Sequence, residues 1–233
     1  MGIPKSFSYQ IRIWLFWAVS HVAFANTSTD LLGEGSAALE TPILILEHRL
    51  TQINSFKGQF VQQTFSMEEE LLDRSEGYFQ LQRPGNFYWR VDSPDQHLLI
   101  SDGSQIWDYD IDLEQVIHRQ IGGAHQSDSP MQIISGDAEV LAAGYTVEVP
   151  DIELDLNQSF ILYPLRDGGS FLKLLLVFSN IGLVSMEMTD PFQQVTKIEF
   201  LHTTVNELIN EATFDFFPPV GIDFISGGWN QHE

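Results

Sequence analysis

Cysteine is absent from the 233-residue chain. That excludes disulfides, thiolate metal sites, a cysteine nucleophile and S-acylation, including lipid attachment at a new N-terminal cysteine. Positive charge is scarce: 11 Lys and Arg stand against 32 Asp and Glu, a formal charge of −21. That sign is wrong for neutralising nucleic-acid phosphates, and it disfavours an electrostatic anchor on anionic lipid. The common enzyme motifs are missing too, since no G-x-S-x-G elbow, P-loop, G-x-G-x-x-G or H-E-x-x-H occurs. Histidines are scattered singly, so no metal, no cofactor and no catalytic residue is expected. Carboxylate pairs with period two, Asp108 with Asp110 and Asp110 with Asp112, could serve a glycosidase, but so acidic a chain produces them by chance.

Long apolar runs are confined to the start. Residues 1–25 read as a short basic region with Lys5 and Arg12, an apolar stretch from Ile13 to Val22, and the exit Ala23-Phe24-Ala25. Cleavage after Ala25 is expected, because Ser20 and His21 break a run already shorter than the roughly 20 residues of a spanning helix. Later, the longest apolar stretch is Leu174-Leu175-Leu176-Val177-Phe178, which is strand-sized. The expectation is an exported, soluble protein of secreted or periplasmic location. Residues 26–40 read as a flexible leader, 41–226 as one domain and 227–233 as a tail.

What is present is a core. The chain is 43% hydrophobic with 17 Phe, enough for one well-buried domain. Thr41-Pro42 predicts a helix start with a hydroxyl cap, and Ile43, Leu46, Leu50 and Ile53 form one apolar stripe after it. From Ser55 the period changes to two. Strands are predicted at 56–65, 74–82, 86–92, 96–101, 105–110 and 114–120, then at 145–149, 159–165, 171–178, 183–189, 195–201 and 212–216. Turn residues separate them, Arg83-Pro84-Gly85-Asn86 and Asp102-Gly103 most clearly. Between the two groups, Met131, Ile133, Ile134, Val140 and Leu141 fit two short helices. Glu68-Glu69-Glu70 reads as a solvated loop. The expected class is mainly β, one large curved antiparallel sheet of about 11 strands with about three short helices.

The strands are loaded with aromatic and aliphatic side chains. Phe87, Trp89 and Val91 share one face, Trp107 and Tyr109 a second, Phe79 and Leu81 a third. Periodicity leaves two readings open: an ordinary filled core, or a curved sheet keeping an apolar hollow under the amphipathic helix.

Particular words narrow the choice. Arg83-Pro84-Gly85-Asn86-Phe87-Tyr88-Trp89-Arg90, then residues 96–103, then Ile106-Trp107-Asp108-Tyr109-Asp110 and Leu113-Glu114-Gln115-Val116 resemble, in order and spacing, the periplasmic outer-membrane lipoprotein carrier family, LolA. Asp190, Gln194, Thr196 and Phe200 resemble its late strand motif, and residues 214–223 its closing F-x-F-x-P-P-x-G-x-D. The resemblance implies an unclosed β-barrel covered by helices, with an apolar cavity for the acyl chains of triacylated lipoproteins. It implies a monomer that takes cargo from an inner-membrane ABC transporter, LolCDE, and delivers it to an outer-membrane receptor, LolB, with no cofactor.

By the same resemblance Arg83 is a lid latch that bonds lid backbone in the closed form, and Phe87 and Trp89 line the cavity. Strand parity adds Val91, Leu98, Ile100, Trp107 and Tyr109 to that lining, while Ile43, Leu46 and Leu50 belong to the lid helix. Two departures stand out: residues 26–40 lengthen the N-terminus, and Leu165-Arg166 follow Pro164 where the family commonly has Lys. The alternative is a periplasmic lipid-sensing regulatory module of the same barrel type. The outer-membrane receptor itself is excluded by the absent cysteine.

Overall fold

In a computed structural model the described residues are 41–121, 133–134, 141–150, 157–166 and 169–227. Residues 1–25, expected as an export signal, 26–40, expected as a leader, Met131, Val140 and residues 228–233 lie outside them. Helix α1 (Pro42–Thr51) is followed by β1 (Ser55–Phe65), β2 (Leu71–Gln82), β3 (Asn86–Ser93), β4 (His97–Asp102), β5 (Gln105–Asp110) and β6 (Gln115–Gln120). Ile133 and Ile134 are helical, and α2 (Leu141–Gly144) leads into β7 (Tyr145–Glu148). The chain continues as β8 (Gln158–Pro164), β9 (Lys173–Phe178), β10 (Leu183–Thr189), β11 (Val195–Val205), a 3-10 turn (Glu211–Phe214) and β12 (Asp223–Gly227).

All strands form one 12-stranded sheet in the order β12-β6-β5-β4-β3-β2-β1-β11-β10-β9-β8-β7. It is unclosed, with β12 and β7 as its two edges. Local hairpins build most of it, and one long-range pairing, β1 with β11, joins the two halves. The predicted hairpin at Asp102-Gly103 forms, with Gly103 at φ +84°. Two expectations are corrected. Residues 212–216 are not a strand: Asn210 accepts a bond from the Ala212 amide and starts the 3-10 turn instead. Strand β12 was not anticipated, and it pairs parallel with β6 although every other neighbouring pair is antiparallel.

The apolar stripe of α1 lands on the sheet, with Leu46, Leu50 and Ile53 buried. Thr41 stands at the cap position with extended backbone, but its hydroxyl makes no capping bond. Proline at the first turn and the tertiary contacts define this helix start without it.

Curvature is built at two glycines, Gly58 within β1 and Gly77 within β2. A Cβ on Gly58 would lie 2.8 Å from the Leu201 carbonyl oxygen, beside the register shift between Lys57 and Gln59. A Cβ on Gly77 would lie 1.8 Å from the Arg90 carbonyl oxygen, where β2 shifts register against β3. Both obstacles are backbone, so only glycine lets the strands approach and coil there. We expect Gly77→Ala to destabilise the fold by about 3 kcal/mol, the upper range for overpacking. Urea denaturation checks this, and an unchanged midpoint would show that the sheet does not need this close approach.

Candidate functional site

Cross-strand register separates the two faces of the sheet, because directly paired residues share a face. Phe79 pairs with Trp89 and Leu81 with Phe87, and Trp89 pairs in turn with Leu99, so these side chains look inward. In the other half, Phe160 pairs with Leu176, Leu162 with Leu174, Met186 with both Leu176 and Ile198, and Phe60 with Phe200. All belong to one buried cluster that also takes in Leu46, Leu50, Ile133, Ile134 and Leu141 from above. Phe60 stacks on Trp89 at 3.8 Å between centroids. The site is therefore a largely apolar concave face closed by α1, α2 and the Ile133–Ile134 turn.

Three of the expected lining residues, Phe87, Trp89 and Val91, lie on this face. Four do not. Leu98 pairs with Tyr109 and Ile100 with Trp107, one residue out of phase with Leu99, so all four point to the convex side. The C-terminal segment covers them there: Phe216 lies 5.5 Å from Trp107 and 5.8 Å from Tyr109, and Phe224 lies 6.2 Å from Trp107. Leu98, Leu99 and Ile100 are all buried, because β4 is covered on both faces. Alternation is lost in such a strand, and parity cannot be read from it.

Several concave-face residues escaped sequence reasoning. Leu99 and Ile106 belong to it, as do Phe160, Leu162, Leu174, Leu176, Met186, Met188 and Ile198. For those in β8 to β11 the signal was period-two alternation, the same signal used in the first half. Of the lid-helix residues, Leu46 and Leu50 are fully buried and Ile43 packs partly buried against the cluster.

Arg83 occupies the rim. The turn that carries it follows β2, and its amide donates to the Asn54 carbonyl at 2.8 Å, tying it to the end of the α1 segment. Its guanidinium Nη2 donates to the backbone carbonyl of Ile134, so the β2–β3 turn bonds the backbone of the segment that covers the concave face. A second tie joins α1 to the sheet: Arg49 Nε donates to Gln158 Oε1 at 2.9 Å.

Behind the Arg83 turn stands the β4–β5 hairpin, with Gly85 and Gly103 so close that a Cβ on Gly85 would lie 3.0 Å from Gly103 Cα. Asp102 organises this hairpin, accepting from the amides of Ser104 and Gln105 at 2.8 Å and from the Ser104 hydroxyl at 2.7 Å. Burial alone would raise the Asp102 carboxyl, but these bonds outweigh it and hold the group below its ordinary value.

The concave face is not apolar throughout. His97 Nε2 lies 2.7 Å from Asp108 Oδ1, and Arg119 lies 3.7 Å from the other oxygen of that carboxylate. Asp110 accepts from the Leu113 amide and Asp112 from the Gln96 amide. These acids hold turns and an ion pair. Among the described residues, no three His, Asp or Glu side chains gather as a metal site, and no helix is long and apolar enough to cross a membrane.

The depressed Asp102 carboxyl fixes a sign for pH dependence. Its contribution is complete above the unfolded carboxylate value near about 4 and is lost as pH falls through the lower folded value. Asp102→Ala should lower stability by about 1 kcal/mol at pH 7, a figure discounted for its exposure, with the gap to wild type closing toward about pH 2. Thermal melts of both proteins across that range measure it; a pH-independent gap would remove the carboxylate from the account.

The model of the family described as outer membrane lipoprotein carrier protein LolA matches residues 51–217. A protein named outer-membrane lipoprotein carrier protein from Hahella chejuensis is 32% identical, the match covering 76% of this chain and 84% of that one. One of the same name from Chromohalobacter salexigens is 34% identical, covering 77% and 84%. Another from Methylococcus capsulatus is 31% identical, covering 82% and 90%. Among solved structures, a LolA superfamily protein from Nitrosomonas europaea aligns with a TM-score of 0.45 at 13% identity, covering 76% of this chain and 98% of that one. The family match runs from the last residue of α1 to Phe217, and with it the chain belongs to the outer-membrane lipoprotein carrier family, LolA.

Proposed function

We propose that the protein is a periplasmic, non-enzymatic carrier that shields the acyl chains of lipoproteins against its concave face. The observation that carries this reading is a covered apolar face whose cover is bonded to the sheet through Arg83 and Ile134. A cover fixed by two polar ties over an apolar face can be exchanged for another apolar occupant. A buried methylene contributes about 0.8 kcal/mol, so an acyl chain of about a dozen carbons gains about 10 kcal/mol there. Entry displaces α1 and the Ile133–Ile134 turn, so the gain is reduced by the burial those elements give up. That offset keeps the carrier able to release its cargo.

In this reading the chain is exported and cleaved after Ala25, takes triacylated lipoproteins from LolCDE and passes them to LolB. Phe87, Trp89 and Val91 line the acyl site, joined by Leu99, Leu176 and Ile198; Ile43, Leu46 and Leu50 belong to the lid. Leu98, Ile100, Trp107 and Tyr109 are reassigned as the support of the C-terminal strap. Relatives named as lipoprotein carriers favour this reading over a lipid-sensing module.

Arg83 is the latch. Its guanidinium is a fixed fork of donors, and its Nη2 bond to the Ile134 carbonyl stabilises the closed lid and opposes cargo retention. Arg83→Leu should bind lipoprotein yet hand it over at least about tenfold more slowly, since losing a charged hydrogen bond of about 1.5–3 kcal/mol favours the open, loaded form. Transfer of labelled lipoprotein from the purified complex to receptor measures this. Transfer at the wild-type rate would refute the latch.

A further inference from the structure

The apolar lining of the concave face fades across β4 and β5. Leu99 and Ile106 are what those strands add to the buried cluster, and β6 adds nothing to it among the described residues. Register shows what stands beside them. His97 pairs with Val91, Asp108 with Leu99, Arg119 with Ile106, and Asp110 with His97. Directly paired residues share a face, so these four polar side chains look inward with Val91, Leu99 and Ile106. They form a polar margin to the acyl face, toward the β12 edge of the sheet.

The margin is an organised group. His97 Nε2 lies 2.7 Å from Asp108 Oδ1, and Arg119 Nη2 lies 3.7 Å from Oδ2 of the same carboxylate. Asp110 is fixed by the Leu113 amide, which donates to its Oδ1 at 2.9 Å. With Nε2–H given to Asp108, Nδ1 of a neutral His97 ring is an acceptor, while Arg119 brings only donors. The side chains of His97, Asp108 and Arg119 are 39%, 17% and 27% exposed. A ligand lying on the concave face can therefore reach them, yet the sheet screens them from bulk water. Stability does not explain the group, since apolar side chains at partly buried ion-pair positions stabilise a fold at least as well.

Charge and hydrogen-bonding capacity say what fits. Two carboxylates against one guanidinium leave the margin net negative, within a chain of formal charge −21. A phosphate placed there is repelled. An uncharged group rich in ester and amide carbonyls accepts from Arg119, and an amide N–H donates to His97 Nδ1. An acylated glycerol joined to the N-terminus of a peptide has that chemistry at the root of its acyl chains. A phospholipid carries the same chains on a phosphate.

We propose that His97, Asp108, Asp110 and Arg119 seat the polar head of the cargo, an uncharged ester-and-amide group, and select it over a phosphate head bearing the same chains. The proposal rests on the carrier reading and adds a discrimination that apolar burial cannot supply, because burial scales with hydrocarbon area and is blind to the head.

Three soluble probes test it on the purified protein: a dioctanoylglyceryl-cysteine peptide with uncharged residues and blocked termini, dioctanoyl phosphatidylglycerol, and the uncharged apolar dye N-phenylnaphthylamine. We expect the wild type to prefer the lipopeptide to the phosphatidylglycerol by about tenfold or more, and Asp108→Asn with Asp110→Asn to lower that ratio by about tenfold. Asparagine keeps the size and an acceptor oxygen, so this variant removes charge alone. Arg119→Gln should weaken the lipopeptide about tenfold while dye binding holds. No preference in the wild type, a ratio unmoved by the asparagine variant, or equal loss of lipopeptide and dye in Arg119→Gln would overturn the head seat and leave the carrier intact. If the wild type binds neither lipopeptide nor dye, the carrier reading itself fails and the head seat with it.

Discussion

An apolar concave sheet cannot be left in water, and the rest of this structure follows from that constraint. Phe56, Phe79, Phe160, Phe178 and their neighbours present far more apolar surface than an open groove could expose, so something must cover them. In the form described, the cover belongs to the chain itself: the stripe of α1, Ile133 and Ile134, and Leu141. Carrying a lipid then amounts to replacing one cover with another of the same chemistry. In the proposed reading the sheet is the permanent half of a core whose other half is exchangeable.

An exchangeable half-core needs a rigid sheet and a removable lid, and the molecule divides along that line. Continuous pairing across 12 strands, bends built at Gly58 and Gly77, and a second apolar layer on the convex side stiffen the sheet. That second layer is the strap: Phe214, Phe216 and Phe224 cover Trp107, Tyr109 and their neighbours, and β12 clamps beside β6. On the convex side Tyr88 hydrogen-bonds Tyr78 at 3.1 Å, and burial first, then that bond, pushes its phenol up to about 12, so it stays neutral. The lid, by contrast, is joined to the sheet by apolar contact and a few directional bonds, Arg83 to Ile134 and Arg49 to Gln158. Directional bonds are lost with small displacement, whereas apolar contact can be recovered by an acyl chain.

Much of this was legible in the residues. The stripe on α1, the strands β5 and β10 to the residue, and the tight turn at Gly103 follow from local periodicity and turn chemistry. What was not legible is non-local. Leu98, Leu99 and Ile100 are buried together because the strap covers the far side of β4, and nothing within β4 announces that cover. Reading residues 212–216 as a strand and Trp107 as cavity lining was therefore one mistake, since the strap that would have corrected the first explains the second. The second half of the concave face was visible in alternating Phe160 and Leu162, Leu174 and Leu176, Met186 and Met188. The departure at Leu165-Arg166 has no counterpart that the structure explains.

The exchange of covers is the central claim, and acyl-chain contact mapping tests it most directly. A photoreactive phenylalanine analogue would replace Trp89, Leu176 or Trp107 in separate preparations, each loaded with lipoprotein carrying labelled acyl chains. The account predicts acyl crosslinks from positions 89 and 176, on opposite halves of the concave face, and none from position 107 beneath the strap. Crosslinks from position 107 equal to those from 89, or none from 89 and 176 in a loaded carrier, would contradict it.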